Sequence, residues 1–280
     1  MIPTFTLASG HEMPALGLGT GTIAKEKRVA AIRAALEMGY SLLDTADSYH
    51  NHAEVAEGIL GFPREDVFLS SKVPHDLLRH DDVLATCERN LGELGVDYLD
   101  MYLIHSPSEN IPLQETFEAL AELVARGWVR SIGVSNFTEE RLALAFEAAQ
   151  AAGVPVSNNQ MEMHPLLYDW ELLDFCEANN VRVTAYGPLA VGRVFENETL
   201  VQVADECGRS VAQVCLRWLV HRGCVAIPAS SSPDHMRSNM DIFDWELSAD
   251  QFARIDAIEA WERVYEGPTW NLKSARPQGA

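Results

Sequence analysis

The stretch Gly39–Gly58, GYSLLDTADSYHNHAEVAEG, reads as one β/α unit. Ser41 to Asp44 is a short strand whose apolar pair, Leu42 and Leu43, stops at a carboxylate. A turn carrying Tyr49 follows, and a helix opens near His52. Gly39 suits the left-handed residue that closes a preceding helix.

The unit recurs in both directions along the chain. Thr4 to Leu7 and Glu12 to Ala15 flank Ala8-Ser9-Gly10-His11 as a β-hairpin; Ala15 to Thr20 is strand-like, and Arg28 to Met38 has helical periodicity. Strand Val67–Lys72 precedes helix Asp81–Leu94, strand Tyr98–Ile104 precedes helix Leu113–Ala125, and strand Val129–Val134 precedes helix Glu139–Ala149. Strand Pro155–Gln160 leads to helix Trp170–Ala178, and strand Val181–Ala185 to helical stretches 197–207 and 210–221. Strand Cys224–Ile227 is followed by a helix from Pro233. Eight alternations without a linker predict an α/β fold: a closed (β/α)8 TIM barrel with an N-terminal β-hairpin and extra C-terminal helices and tail. The whole chain, 1–280, is expected to be one domain. A doubly wound open sheet is the competing fold, weakened because no G-x-G-x-x-G follows an early strand.

Barrel chemistry sits at the C-terminal ends of the strands. Strand two ends at Asp44, three at Lys72, four at His105, five at Ser135-Asn136, six at Gln160, seven at Tyr186 and eight at Ser230. Nearly every strand therefore ends in a group able to bind or to move a proton. Tyr49 is a weak acid, with an ordinary pKa of about 10, and needs a cation nearby to release its proton. Lys72 is one of only four lysines and closes an apolar segment. Placed beside Asp44 and Tyr49, its charge favours the phenolate while Asp44 compensates a buried ammonium. The bland alternative is a surface lysine just past a strand. His105 is either a packed, hydrogen-bonded side chain or a donor that orients a substrate oxygen.

Composition excludes other classes. A formal net charge of -20 argues against nucleic acid or anionic membrane as partner. No apolar run approaches the roughly 20 residues that span a bilayer, and no basic leader precedes an apolar core, so a soluble cytoplasmic protein is expected. Five scattered cysteines without C-x-x-C spacing read as reduced packing residues. The acidic surface fits a salt-adapted source and an ordinary acidic enzyme equally. Glu162 and His164, or His50 and His52, have ligand-like spacing, but two ligands do not make a site, and no metal is expected.

The segments DTADSYHN, LSSKV, MYLIHSP, IGVSNF, NNQMEMHP and TAYGPL, in this order and spacing, resemble the aldo-keto reductase superfamily from the hairpin to about Leu247. GPLAVGR and the short length are most similar to prokaryotic 2,5-diketogluconate reductase-like members. The resemblance implies hydride transfer from a reduced nicotinamide to a carbonyl, with Tyr49 as general acid, Lys72 and Asp44 lowering its pKa, and His105 orienting the carbonyl. Small aldehydes, dicarbonyls or keto-sugars would be the substrates, and the enzyme would act as a monomer. Ser135, Asn136 and Gln160 would hold the nicotinamide carboxamide and Tyr186 would stack on its ring, with Asp44, Gly19 and Thr20 beside it. Gly187 and Leu189 would follow the pyrophosphate; Ser230, Ser231, Arg237 and Asn239 would meet the adenosine end. Ser135 or Asn136 could instead cap the helix at Glu139.

Two departures from the family pattern matter. Ala229 and His235 stand where many members carry a lysine and an arginine against the 2′-phosphate. NADP(H) is the first expectation, with NAD(H) or dual use open. Gly21, Pro74 and Ser106 stand where pocket tryptophans are common, predicting a wider pocket alongside Tyr49 and His105. The tail 260–280 is expected over the mouth, where Trp270 and Tyr265 either rebuild the wall or merely pin the tail. His52 replaces a customary glutamate, so altered helix packing is expected there. Two further readings compete with a reductase: a nicotinamide-binding sensor with vestigial chemistry, and a Schiff-base lyase using Lys72.

Overall fold

The computed structural model describes residues 2–265. Strand β1 (Thr4–Thr6) pairs antiparallel with β2 (Glu12–Pro14). The barrel then runs β3 (Gly17–Gly19), α1 (Lys25–Met38), β4 (Leu42–Asp44), α2 (His52–Ile59), β5 (Phe68–Val73), α3 (His80–Leu94), β6 (Leu99–Ile104) and α4 (Leu113–Ala125). It continues through β7 (Val129–Ser135), α5 (Glu139–Ala152), β8 (Asn158–Glu162), α6 (Trp170–Ala178) and β9 (Arg182–Tyr186). Helices α7 (Glu198–Cys207) and α8 (Val211–His221) precede β10 (Val225–Ala226), and α9 (Pro233–Met240) and α10 (Ala249–Asp256) complete the order.

β3 to β10 are parallel and lie side by side in chain order. The seam closes through a parallel bridge between Leu16 and Ala226. There the Ala226 N–H donates to the Ala15 carbonyl at 3.0 Å and Gly19 N–H to Pro228 at 3.3 Å. Gly19 is required at this join, because a Cβ would stand 2.8 Å from the Ile227 carbonyl oxygen. The closed-barrel expectation holds, and the open sheet is excluded.

Strand side chains alternate between barrel interior and helix layer. Leu42, Phe68, Met101, Leu103, Val225 and Ile227 fill the lower interior, sealed beneath by Leu7 and Met13 of the hairpin region. Leu43, Leu69, Tyr102, Ile104, Ile132 and Val134 face the helices in a second, larger core. The inward rows of β4, β5 and β6 start apolar and end polar at the mouth, as Leu42 to Asp44 or Phe68 to Lys72, whereas the row of β8, Asn158 to Glu162, is polar throughout. That gradient gives the barrel a packed floor and a chemical rim.

Helix ends follow their sequence signals. Thr138, Asp169 and Asn197 cap α5, α6 and α7, and Ser210–Gln213 and Ser248–Gln251 form capping boxes. β8 begins three residues later than expected and extends to Glu162. Pro155 cannot donate to a ladder, whereas pairing with β9 continues to Glu162 opposite Tyr186. No helix among the described residues is long and apolar enough to cross a membrane.

Candidate active site

Asp44, at the end of β4, and Lys72, near the end of β5, meet inside the rim. Lys72 Nζ donates to Asp44 Oδ1 at 2.5 Å, to the Thr45 carbonyl at 2.8 Å and to Tyr49 Oη at 3.4 Å. The lysine is fully buried and Asp44 almost so, which excludes the surface-lysine reading. Gln160 Nε2 donates to the other Asp44 oxygen at 2.8 Å. Burial pulls the Lys72 pKa down, but the Asp44 carboxylate and Tyr49 outweigh it and leave the ammonium above its ordinary value.

Tyr49 follows in a single helical turn, Asp47–Tyr49. Its ring lies edge-on to His105 at 5.6 Å and against Gly21, where a Cβ would meet it at 2.9 Å. Burial drives its pKa up, Lys72 draws it partly back, and the net direction is upward. Lys72 acts in the expected direction, but Asp44 opposes it and desolvation outweighs the cation. Tyr49 is thus a protonated acid throughout the neutral range. Burial, then Lys72 and His75, lowers His105 to about 3, so its imidazole is neutral. Ser48 Oγ lies 3.1 Å from His105 Nδ1. A hydroxyl proton placed there leaves the ring's other nitrogen as the N–H donor.

A cavity of about 260 Å³ opens over these groups. Its wall holds Asp44, Tyr49, His105, Ser135, Asn136, Gln160, Tyr186 and Gly187, with Gly19, Gly21, Thr22, Ile227, Ala229 and Tyr265. A larger cavity of about 590 Å³ lies near the hairpin end, lined by Thr6, Arg182 and Gly223 among others. It contains none of the proton-transfer residues, so chemistry belongs to the smaller one.

Asn136 adopts φ +64° and fixes the rim. Its Nδ2 donates to the His105 carbonyl at 3.2 Å and to Ser135 Oγ at 3.1 Å, and its Oδ1 accepts from Tyr186 Oη at 2.8 Å. With Thr138 as the α5 cap, neither Ser135 nor Asn136 is used for capping. Thr20 is buried behind the wall, its hydroxyl donating to the Asp44 carbonyl at 2.8 Å. Leu189, Pro74, Ser106, Ser230, Ser231, Arg237 and Asn239 also lie outside the cavity wall. Ser230 and Ser232 bond to each other, Ser232 caps α9, and Arg237 pairs with Asp234 at 3.5 Å. Trp270 lies outside the described residues. His52 Nδ1 and Nε2 contact Glu93 at 2.9 Å and Ser71 at 3.2 Å, tying α2 to α3 and β5. No metal-type cluster among the described residues includes His50, His52, Glu162 or His164. Sequence reasoning missed Ser48, although it immediately precedes Tyr49 in the turn.

The sequence profile of the Aldo/keto reductase family matches residues 13–260. The chain belongs to the aldo/keto reductase family. A glyoxal reductase from Bacillus subtilis (strain 168) is 39% identical over 268 residues, covering 95% of this chain and 96% of its own. MGS-M4, a solved aldo-keto reductase from a Medee basin deep-sea metagenome library, superposes with TM-score 0.89 at 32% identity, covering 96% of this chain and 99% of its own. An aldo-keto reductase solved with NADPH gives TM-score 0.89 at 28% identity, covering 97% and 92% respectively. Like its family, this protein is an oxidoreductase that reduces carbonyl groups with NAD(P)H.

Proposed function

We propose that this enzyme reduces small aldehydes, dicarbonyls or keto-sugars to alcohols, with Tyr49 as the proton donor. The observation that carries this reading is the buried Lys72 ammonium between Asp44 Oδ1 and Tyr49 Oη. Tyr49 Oη gives its proton to the carbonyl oxygen as negative charge develops there. The Lys72 charge then stabilises the phenolate left behind, and Asp44 keeps Lys72 protonated and in place. His105, neutral and oriented by Ser48, donates a second hydrogen bond that fixes the carbonyl.

The rim suits a nicotinamide by the chemistry of its donors. Ser135, Asn136 and Gln160 present hydroxyl and carboxamide groups beside the Tyr186 ring, and Gln160 keeps its side-chain oxygen after donating to Asp44. These four residues would hold the nicotinamide, which when bound supplies the hydride. Arg237, Ser230 and Ser231 would meet the adenosine end, where Asp234 opposes a 2′-phosphate. We assign the whole chain to one barrel domain, acting as a cytoplasmic monomer on small molecules without nucleic acid. No observation favours the sensor reading.

Two measurements test this reading. NADPH and NADH compared at equal concentration should show preference for NADPH, with Arg237→Ala reducing kcat/KM for NADPH and sparing NADH. Equal use of both by the parent enzyme would mean that Ala229 and His235 have released the 2′-phosphate requirement. The pH profile is set by signs. Reduction needs Tyr49 protonated, and its pKa is raised, so the rate should not fall until pH passes the ordinary phenol value of about 10. His105 stays neutral above about 3, so no acid limb from it should appear near pH 6. A kcat that falls between pH 7 and 8.5, roughly two units below the ordinary phenol value, would mean that Lys72 outweighs burial and would contradict the upward direction of the Tyr49 pKa.

A further inference from the structure

Glu162 is a fully buried carboxylate at the mouth end of β8, with no part in proton transfer. Asn158, Gln160 and Glu162 share the inward face of the strand by its period of two. Gln160 is used by Asp44; Glu162, one layer higher, reaches a different part of the chain. Its Oε1 accepts the Val264 N–H at 2.7 Å and lies 3.2 Å from His164 Nε2. Its Oε2 accepts the Tyr265 N–H at 3.2 Å and lies 3.9 Å from the Arg263 guanidinium. One strap after α10 is thus gripped by both oxygens of one carboxylate, through successive backbone donors. Just upstream, the Glu262 N–H donates to the Leu166 carbonyl at 2.8 Å.

Glu162 lies opposite Tyr186 in the sheet, and this decides where the strap's last described side chain falls. The Tyr265 ring stands edge-on to Tyr186 at 5.5 Å, and packs so closely on Gly187 that a Cβ there would be 2.6 Å from it. Tyr265 thereby becomes part of the cavity wall that includes Tyr49 and His105.

We infer that Glu162 is a positioning residue of the reductase: by clamping the 263–265 backbone it fixes Tyr265 in the cavity wall and so sets how closely a small carbonyl compound is held. A buried carboxylate with two backbone partners, a histidine and an arginine holds firmly, because releasing the strap strands its charge. With the wall in place the cavity is about 260 Å³, just under the roughly 300 Å³ at which ligand cavities usually begin. This rests on the carbonyl-reductase reading, so its test includes a measurement that needs no turnover.

Glu162→Gln, Tyr265→Ala and the double variant are compared with the parent protein. Amide hydrogen exchange is followed at residues 263–265, and kcat and KM over aldehydes of increasing length. Glu162→Gln should speed exchange in the strap. It should raise KM for the shortest aldehyde about tenfold, a 1.4 kcal/mol equivalent, while kcat stays near the parent value. Tyr265→Ala should raise the same KM, and the double variant should be no worse than the weaker binder of the two, the non-additivity expected of residues acting as one unit. Additive KM effects, or parent-like exchange and KM in a folded Glu162→Gln, would overturn the inference. Should Glu162→Gln fail to fold, Val264→Pro removes one backbone donor from the half-buried strap while leaving Glu162 in place. It should reproduce the KM change, and a parent-like KM would overturn the inference equally. An inactive parent protein would refute the reductase reading while the exchange comparison still decides the clamp.

Discussion

Tyr49→Phe is expected to lower kcat for aldehyde reduction by about a hundred- to ten-thousand-fold, the range lost when a positioned general acid is removed. NADPH affinity, read by quenching of protein fluorescence, should be unchanged. The substitution isolates the hydroxyl. The ring keeps its contacts with His105 and Gly21, and Lys72 keeps its bonds to Asp44 and the Thr45 carbonyl. Only the longest of the three Lys72 contacts, 3.4 Å to Tyr49, is lost. A variant retaining most of its kcat would remove Tyr49 from the mechanism.

The second large effect is on stability. Asp44→Ala strands the Lys72 ammonium in a fully buried position, and breaking such a pair typically costs about 3–5 kcal/mol. For a chain of this size that is a fall in Tm of roughly 5–15 °C. Gln160 loses its acceptor as well. Adding Lys72→Met removes the stranded charge while keeping the volume, so Asp44→Ala/Lys72→Met should be more stable than Asp44→Ala alone. The double variant should be inactive, since it leaves no cation beside Tyr49. If the double variant shows the sum of the two single losses, the pair is not coupled as described.

The barrel and its rim were legible for one reason. Most inward strand rows end in a polar group, so the strand-end rule points to Asp44, Lys72, His105, Ser135, Asn136 and Gln160, and it fails at the last strand, where Ser230 lies outside the cavity wall. Tyr49 was legible through its fixed distance after Asp44 in a short turn. What escaped the sequence depends on contacts between distant segments. Tyr265 is expected at the mouth as either wall or pin, and the fold puts it in the cavity wall, but the Glu162 grip on the Val264 and Tyr265 backbone has no signal in the sequence. The upward pKa of Tyr49 depends on how deeply the folded chain buries it, which spacing does not encode. Thr138 rather than Ser135 or Asn136 caps α5, a choice made by the loop after β7, where Asn159 bonds the Phe137 backbone.

The most direct test of the central claim is carbonyl-dependent oxidation of NADPH by the unmodified protein, across small aldehydes, dicarbonyls and keto-sugars. Steady turnover with at least one of these classes, and alcohol formed in proportion to NADPH consumed, is the predicted result. Tight NADPH binding with no turnover on any of them would contradict a reductase built around Tyr49.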